Sequence, residues 1–389
     1  MVSLTSHNSG GIKMKLFKKV LASAFALGLV LTLTACGTKE GSKTPATDGN
    51  NTVSESSDNT YELALITDVG TIDDKSFNQG SWEGLEQYGK EFGLTYKYYQ
   101  PAEKSDTAYL TQIDLAVKAG AKIIVCPGFL FEVPIFTAQT KYPDVKFIIL
   151  DGAPHNGDYN NVVADNTHAI FYAEQEAGFL AGYGIVKEGY TKLGFMGGIA
   201  VPAVINFGYG FVQGAEYAAE ELGLADGSLE VKYTYVGNFD ATPENLATAA
   251  SWYNDGTEVI FACGGAVGNS VMKAAETANK FVVGVDVDQS SESATVVTSS
   301  MKNLSKSVYD AITEFYAGTF PGGVISTLDA KVEGVQLPME TSKFTKFTQE
   351  EYNAIYKQIV DGTIEIKNNT VGDSATALET TKVKVVDVK

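Results

Sequence analysis

From residue 61 onward, apolar and polar positions follow two alternating rhythms. Runs such as Lys122-Ile123-Ile124-Val125-Cys126 and Lys146-Phe147-Ile148-Ile149-Leu150 are continuous and β-branched. Strands buried on both faces read that way. Strands are predicted at 61–68, 95–100, 121–127, 146–151 and 161–165, with helices at 76–92, 107–119 and 131–141 between them. Strand–helix alternation of this kind makes right-handed βαβ units in a parallel sheet. An amphipathic stretch, 167–187, reads as one long helix. The rhythm then restarts, with strands at 192–196, 230–236, 258–263 and 281–286 and helices at 203–222, 243–255 and 268–279. A strand at 294–299 and a helix at 303–317 cross back. Residues 322–338 alternate like short hairpin strands, and 348–360 reads as a last helix, placed on the first lobe. The folded part is about 310 residues, too long for one simple core. The expected fold is α/β, two doubly wound parallel-sheet lobes with a cleft between them. Lobe one takes 61–167 with about 290–370, and lobe two takes 168–289. The tail, 371–389, is rich in Thr, Val and Lys, and the pattern leaves its order open.

The first 60 residues read differently. Met14 opens a signal sequence within the leader 1–35, with Lys15, Lys18 and Lys19 ahead of an apolar run over 20–33. That run is too short and wrongly flanked for a spanning helix. Leu33-Thr34-Ala35-Cys36 follows it and resembles a bacterial lipobox. The resemblance implies cleavage before Cys36 and lipid on its sulfur, a stable anchor once two or three acyl chains are present. Residues 36–60, rich in Thr, Ser, Gly, Asn and Asp, make a flexible tether. The chain is thus expected on the extracytoplasmic face of a cell membrane. With a lipid anchor and no outer-membrane signal, the leader points to a Gram-positive host.

Charge narrows the partners. The chain has 29 basic and 47 acidic residues, and without the four lysines of 1–35 its net charge falls from −18 to −22. Such a surface repels nucleic acid. All the basic residues are lysines. No arginine clamp for carboxylate or phosphate is available, which disfavours amino-acid and phosphate ligands. Besides Cys36 there are Cys126 and Cys263, both at the ends of apolar runs and expected to be buried thiols rather than a disulfide. No metal-ligand spacing is present, and no cofactor is expected.

In parallel sheets ligands bind beyond the C-terminal strand ends. The first strand delivers the loop Thr67-Asp68-Val69-Gly70-Thr71-Ile72-Asp73-Asp74-Lys75, with Ser76 as the expected N-cap of the next helix. Later strands deliver Pro127-Gly128-Phe129, Asp151-Gly152-Ala153, Gly237-Asn238-Phe239-Asp240, Gly264-Gly265 and Asp286-Val287-Asp288-Gln289. Aromatic rings thus come from both lobes (Phe77 and Phe129, Phe207 and Phe239), with carboxylates at Asp68, Asp151 and Asp286 and a lysine at Lys302. Two rings can sandwich a flat ligand, each stack contributing roughly 1–3 kcal/mol. Carboxylates accept from N–H and O–H donors. A flat ring bearing N–H donors, joined to a vicinal diol, fits this inventory. Singly, each feature is ordinary, since strand-end Asp residues often cap and Phe residues are usually core; their co-occurrence is what points to a nucleoside.

The same residues carry a family resemblance. Asp68-x-Gly70-x-Ile72-Asp73-Asp74-x-Ser76-Phe77-Asn78, Tyr142-Pro143-Asp144 running to Leu150-Asp151, and Val201-Pro202-Ala203-Val204 with Gly210-Phe211 are its first parts. Tyr235-Val236-Gly237-Asn238-Phe239, Cys263-Gly264-Gly265 through Gly268, Gly284-Val285-Asp286-Val287-Asp288-Gln289 and Thr298-Ser299-Ser300-Met301-Lys302 complete it. Over about 61–335, in this order and with the lipobox, the chain resembles the basic membrane protein (BMP)/PnrA-like lipoproteins, substrate-binding components of ABC importers for nucleosides. The resemblance implies a periplasmic-binding-protein fold of type I with three interlobe crossings, serving ABC permease subunits; the chain is expected to be a monomer. It implies purine nucleosides as ligands. Phe77 would stack on the base, opposed by Phe239 or Phe207. Asp151 and Asp68 would bond the base edge, with Asn78 nearby. Asp286, Lys302 and the Gly265 amide would hold the ribose hydroxyls. Many members have Gly-Phe-Gly or Ala-Gly where this chain has Pro127-Gly128-Phe129 and Cys263-Gly264, which leaves base preference open.

Other functions weigh less. A nucleoside hydrolase or phosphorylase would have only His155 and His168 downstream of the leader, with no Ser elbow or P-loop. Asp68, Asp73 and Asp74 are then the candidate Ca²⁺ ligands. A receptor for a sugar or signalling molecule fits the same fold. A DNA-binding regulator is excluded by the lipobox and the missing helix-turn-helix. The chain therefore reads as a receptor, not an enzyme.

Overall fold

In chain order the first lobe forms β1 (Leu63–Ile66), α1 (Phe77–Phe92), β2 (Tyr96–Tyr99), α2 (Asp106–Lys118), β3 (Ile123–Pro127), a 3-10 turn (Phe129–Phe131), α3 (Glu132–Lys141), β4 (Lys146–Leu150) and β5 (Thr167–Tyr172). There follow α4 (Glu174–Glu188), β6 (Lys192–Gly197), α5 (Pro202–Glu221), β7 (Leu229–Tyr235), α6 (Pro243–Asn254), β8 (Val259–Cys263), α7 (Val267–Ala278), β9 (Phe281–Asp286) and β10 (Val296–Lys302). The chain ends with α8 (Leu304–Ala317), β11 (Val324–Leu328), β12 (Val335–Gln336), α9 (Gln349–Val360) and β13 (Val383–Asp387). This computed structural model describes residues 60–388. The expected leader, Cys36 and nearly all of the tether lie outside the described residues. Among the described residues no helix is long and apolar enough to cross a membrane.

Two sheets result, ordered β11-β5-β4-β3-β1-β2 and β12-β10-β9-β8-β6-β7-β13. Pairing is parallel throughout except for β12 against β10. The continuous apolar runs are explained by burial on both faces. In β3 and β4, Ile124, Cys126, Phe147 and Ile149 pack with Tyr109 of α2 and Ile135 of α3. Their neighbours Ile123, Val125, Ile148 and Leu150 belong to the core that also holds Trp82 of α1 and Val308 of α8. The second sheet repeats this, with Met196 and Ile260 toward Trp252 and Val271, and Phe195 and Phe261 toward α4 and α5. Among the described residues Cys126 and Cys263 are buried and form no disulfide, and burial raises both thiols above their usual range.

The chain passes between the lobes at Ala173, at Asn303 and over 329–334. These crossings bond to one another. The Ala173 N–H donates to Leu328 O at 3.0 Å and the Asn303 N–H to Gly334 O at 2.9 Å.

Several expectations need correction. Residues 161–165 are not a strand; the strand is β5, Thr167–Tyr172, and the helix begins at Glu174. The Asn166 amide sets the strand's start by donating toward three carbonyls, Gln139 O, Tyr142 O and Val145 O, at 3.0–3.1 Å. The stretch 167–187 hides the switch because strand and helix are both largely buried. Nor do residues 322–338 form a hairpin. β11 pairs with β5 in the first sheet and β12 with β10 in the second, because the third crossing separates them. β10 itself belongs to the second sheet and runs on to Lys302. The last helix, α9, packs on α4 and not on lobe one. Glu188 at the end of α4 accepts from the N–H groups of Thr345, Lys346 and Phe347 just before it, and Tyr217 of α5 bonds Gln358. The tail is ordered through 388. β13 pairs in parallel with β7, after Glu216 accepts from the Thr381, Lys382 and Val383 amides.

Candidate ligand-binding site

A cavity of about 450 Å³ lies between the C-terminal strand ends of the two sheets. All nine residues expected at the site line it: Asp68, Phe77, Asn78, Asp151, Phe207, Phe239, Gly265, Asp286 and Lys302. Each arrives for a local reason.

The loop after β1 is organised by Asp74. Its Oδ1 accepts from the Ser76 and Gln79 N–H groups at 2.9 and 3.1 Å, and its Oδ2 from the Asn78 N–H at 3.0 Å. Asp74 therefore caps α1 in place of Ser76. Ser76 occupies the N-cap position without a side-chain cap, and its hydroxyl donates across the cleft to Asp286 Oδ2. Asp74 thereby takes up the Asn78 and Gln79 amides of the first turn, which do not face the cavity as free donors. The Asn78 amide is also spent. Its Nδ2 donates to Asp68 Oδ1 and Asp74 Oδ2, both at 2.9 Å, and its Oδ1 accepts from the Asp68 N–H at 3.3 Å. Gly70 is required here, because a Cβ would lie 2.5 Å from Asn78 Nδ2. Burial raises Asp68 and Asp74 above the ordinary carboxylate range, against the hydrogen bonds they accept.

Lys302 is the centre of the floor. It is 3% exposed. Its Nζ pairs with Asp151 Oδ2 and lies 3.4 Å from Glu174 Oε1 and 3.9 Å from Asp286 Oδ1. It also stands 4.9 Å from the Phe77 ring centre, 5.3 Å from that of Phe207 and 5.4 Å from that of Tyr172. Burial opposes its charge, but the three carboxylates override this and hold its pKa above the usual lysine range. Asp151 is pushed up to about 6, by burial first and by the nearby Glu174 carboxylate, with Lys302 opposing. Burial raises Asp286 as well, against Lys302 and Ser76. Among the described residues, Asp151 Oδ1 is buried with no hydrogen-bond partner.

Phe239 lines the cavity from the loop after β7 and is partly buried. Gly198 admits its ring, since a Cβ there would lie 2.4 Å from Phe239 Cδ1. Phe207, by contrast, is 2% exposed and meets Phe261 edge-on. Gly265 takes φ 54°, a left-handed conformation natural to glycine. The Asp68, Asp73 and Asp74 set forms no metal-holding cluster among the described residues.

Glu174 and Tyr172 also stand at Lys302, unannounced by the sequence pattern. Both fell inside the single helix expected over 167–187, where neither had reason to face a cleft. A helix start directly after a strand, with an acid at its first position, was the available signal.

Residues 61–370 match the family described as ABC transporter substrate-binding protein, PnrA-like. The chain is 30% identical over 378 residues to the ABC transporter nucleoside-binding protein BmpA of Lactococcus lactis subsp. cremoris (strain MG1363), covering 90% of this chain and 99% of that one. It is 27% identical to basic membrane protein A of Borreliella afzelii, over 79% of this chain and 92% of that one. In fold it is similar to the ABC transporter solute-binding protein of Aeropyrum pernix K1, with TM-score 0.68 and 22% identity over 78% of this chain and 92% of that one. The chain belongs to the PnrA-like family of ABC transporter substrate-binding proteins.

Proposed function

We propose that the protein is a nucleoside receptor, purine nucleosides foremost, anchored by lipid on Cys36 at the extracytoplasmic face of the membrane. It delivers its ligand as a monomer to ABC permease subunits. The observation carrying the ligand class is the chemistry of one cavity. Aromatic side chains from both lobes line it, with buried carboxylates that include the unpartnered Asp151 Oδ1. Such walls favour a flat ring with N–H donors. The name of the Lactococcus relative, a nucleoside-binding protein, supports the same reading.

In this reading Phe77 and Phe239 stack on the base; the tight packing of Phe207 against Phe261 favours Phe239 as the second ring. Asp68 and Asp151 accept from the base edge, and Asn78 holds Asp68 in place. Asp286, Lys302 and the Gly265 amide take the ribose hydroxyls. Opening and closing is a hinge motion about the three crossings.

Calorimetric titration with adenosine, guanosine, inosine, cytidine, uridine and ribose tests it. Nucleosides should bind and ribose alone should not. Binding of ribose or another sugar alone would move the protein to the sugar receptors and remove Phe77 from its role. Palmitate labelling lost on Cys36→Ser tests the anchor, and sedimentation of the ligand-bound protein tests the monomer.

A further inference from the structure

Glu174 opens α4, one residue past the first crossing. It is 2% exposed, and it stands behind Lys302 rather than on the cavity wall. Both of its oxygens are committed. Oε1 lies 3.4 Å from Lys302 Nζ, and Oε2 accepts from Asn206 Nδ2 at 3.0 Å. Asn206 Oδ1 in turn accepts from the Asn369 N–H at 2.9 Å. The carboxylate is thus fixed through Oε2 from α5 and from the segment after α9, and presents Oε1 to the ammonium.

The other two carboxylates at Lys302 are placed differently. Asp151 follows β4 in the first sheet, and Asp286 ends β9 in the second. Lys302 ends β10, also in the second sheet, and α4 packs on that sheet. A hinge motion that parts the lobes takes Asp151 away from Lys302 and leaves it with Glu174, at 3.4 Å, and the more distant Asp286, at 3.9 Å. A lysine is a flexible stem with a compact charge, so its aim in an open cleft depends on what still holds it. Preorganised groups bind more tightly because less ordering is left for the ligand to impose.

We propose that Glu174 is a positioning residue. It holds the Lys302 ammonium in its binding orientation whether or not the lobes are closed, and so tunes affinity for ligand hydroxyls without touching the ligand. The ligand half of this rests on the nucleoside reading; the Glu174–Lys302 coupling does not.

The test uses Glu174→Gln, Lys302→Met and the double variant of the full-length protein, titrated with guanosine and 2′,3′-dideoxyguanosine. Glu174→Gln should weaken guanosine by about 10- to 100-fold, the scale of one charge-assisted hydrogen bond. The dideoxy analogue, lacking the 2′ and 3′ hydroxyls, should change by no more than about threefold. With Lys302→Met already present, Glu174→Gln should cost no further affinity. Equal losses for both ligands, or fully additive losses in the double variant, would overturn the proposal. Asn206→Ala, which frees Glu174 but keeps its charge, should reproduce the guanosine-selective loss in weaker form, and an unselective loss there counts against the proposal. If the wild-type protein ignores guanosine but binds another nucleoside, that nucleoside and its 2′,3′-dideoxy analogue take guanosine's place; if it binds none, the nucleoside reading falls. The coupling is then decided by urea unfolding of the same four proteins without ligand, where non-additive effects sustain it and additive ones end it.

Discussion

Asp151 and Asp286 stand at the ends of strands in opposite sheets, both in a left-handed backbone conformation, with φ 54° and 66°, and both reach the same Lys302 ammonium. A non-glycine residue is uncommon there, although Asp tolerates the region better than most. Each such residue costs of order 1–3 kcal/mol and persists where its surroundings over-determine it. Here the surroundings are a buried cluster of one ammonium and three carboxylates. The cluster is not self-neutral, and its stability rests on Lys302.

Removing that ammonium leaves Asp151, Glu174 and Asp286 facing one another without a cation. Lys302→Met should therefore destabilise by about 3–5 kcal/mol at neutral pH, the cost of breaking a buried pair from one side. The variant should regain stability in acid, as protonation relieves the repulsion. Urea unfolding of both proteins from pH 8 to pH 5 checks this, and an undiminished deficit at pH 5 would contradict it.

Ligand binding should weaken in acid. Asp151 is held near pKa 6 by burial, and only its ionised form accepts hydrogen bonds with both oxygens. A ligand donor at Asp151 lowers that pKa in the complex, so binding expels a proton below pH 6. Affinity for a nucleoside should be constant above about pH 7 and fall up to tenfold per pH unit below pH 6. Asp151→Asn should bind weakly and lose this slope. A wild-type affinity flat down to pH 5 would remove Asp151 from ligand contact.

Much of this architecture was legible because two-sided burial writes itself as continuous β-branched runs, as in β3 and β4. The cavity wall was legible for a related reason, since strand ends in a parallel sheet point to one place. What stayed hidden depends on long-range pairing. β11 and β12 read as a hairpin because alternation records a half-exposed strand and not the identity of its neighbour. Glu174 was hidden by the strand-to-helix switch at Ala173, where both elements are apolar. Ser76 had the right residue type for a cap, yet Asp74 took the amides because a carboxylate accepts several donors at once. The α9 position followed from Glu188 gathering three amides, which no local pattern announces.

The contact between α4 and α5 depends on missing side chains. A Cβ on Gly178 or Gly182 would lie 2.2 or 2.0 Å from the carbonyl oxygen of Phe207 or Phe211, and one on Gly210 or Gly214 would meet those of Gln175 and Phe179 at 2.0 Å. Alanine is the better helix former by about 1 kcal/mol. Gly182→Ala should nevertheless destabilise by about 1–3 kcal/mol or more, because backbone cannot yield as a side chain does. Gly268→Ala in α7, whose Cβ meets only the Met272 methyl at 3.8 Å, is the control and should be neutral or stabilising. Thermal unfolding compares the two.

His168 should make the first lobe acid-sensitive. Its Nε2 bonds Ser326 Oγ at 2.9 Å, joining β5 to β11, while Nδ1 is buried without a partner among the described residues. Burial lowers its pKa to about 4. Between pH 6.5 and pH 4 the unfolded chain takes up a proton that the folded chain refuses. Stability from this group is therefore full above pH 6.5 and declines as pH falls, by up to about 3 kcal/mol at pH 4. Asp68, Asp74 and Asp151 work in the opposite sense, since their raised pKa values let the folded state take up protons first. Their effect is common to wild type and His168→Gln and cancels in the comparison. The stability advantage of wild type over His168→Gln, measured by urea unfolding at each pH, should shrink steadily from pH 7 to pH 4. An advantage that stays constant over this range would mean that His168 is solvated enough to protonate in place.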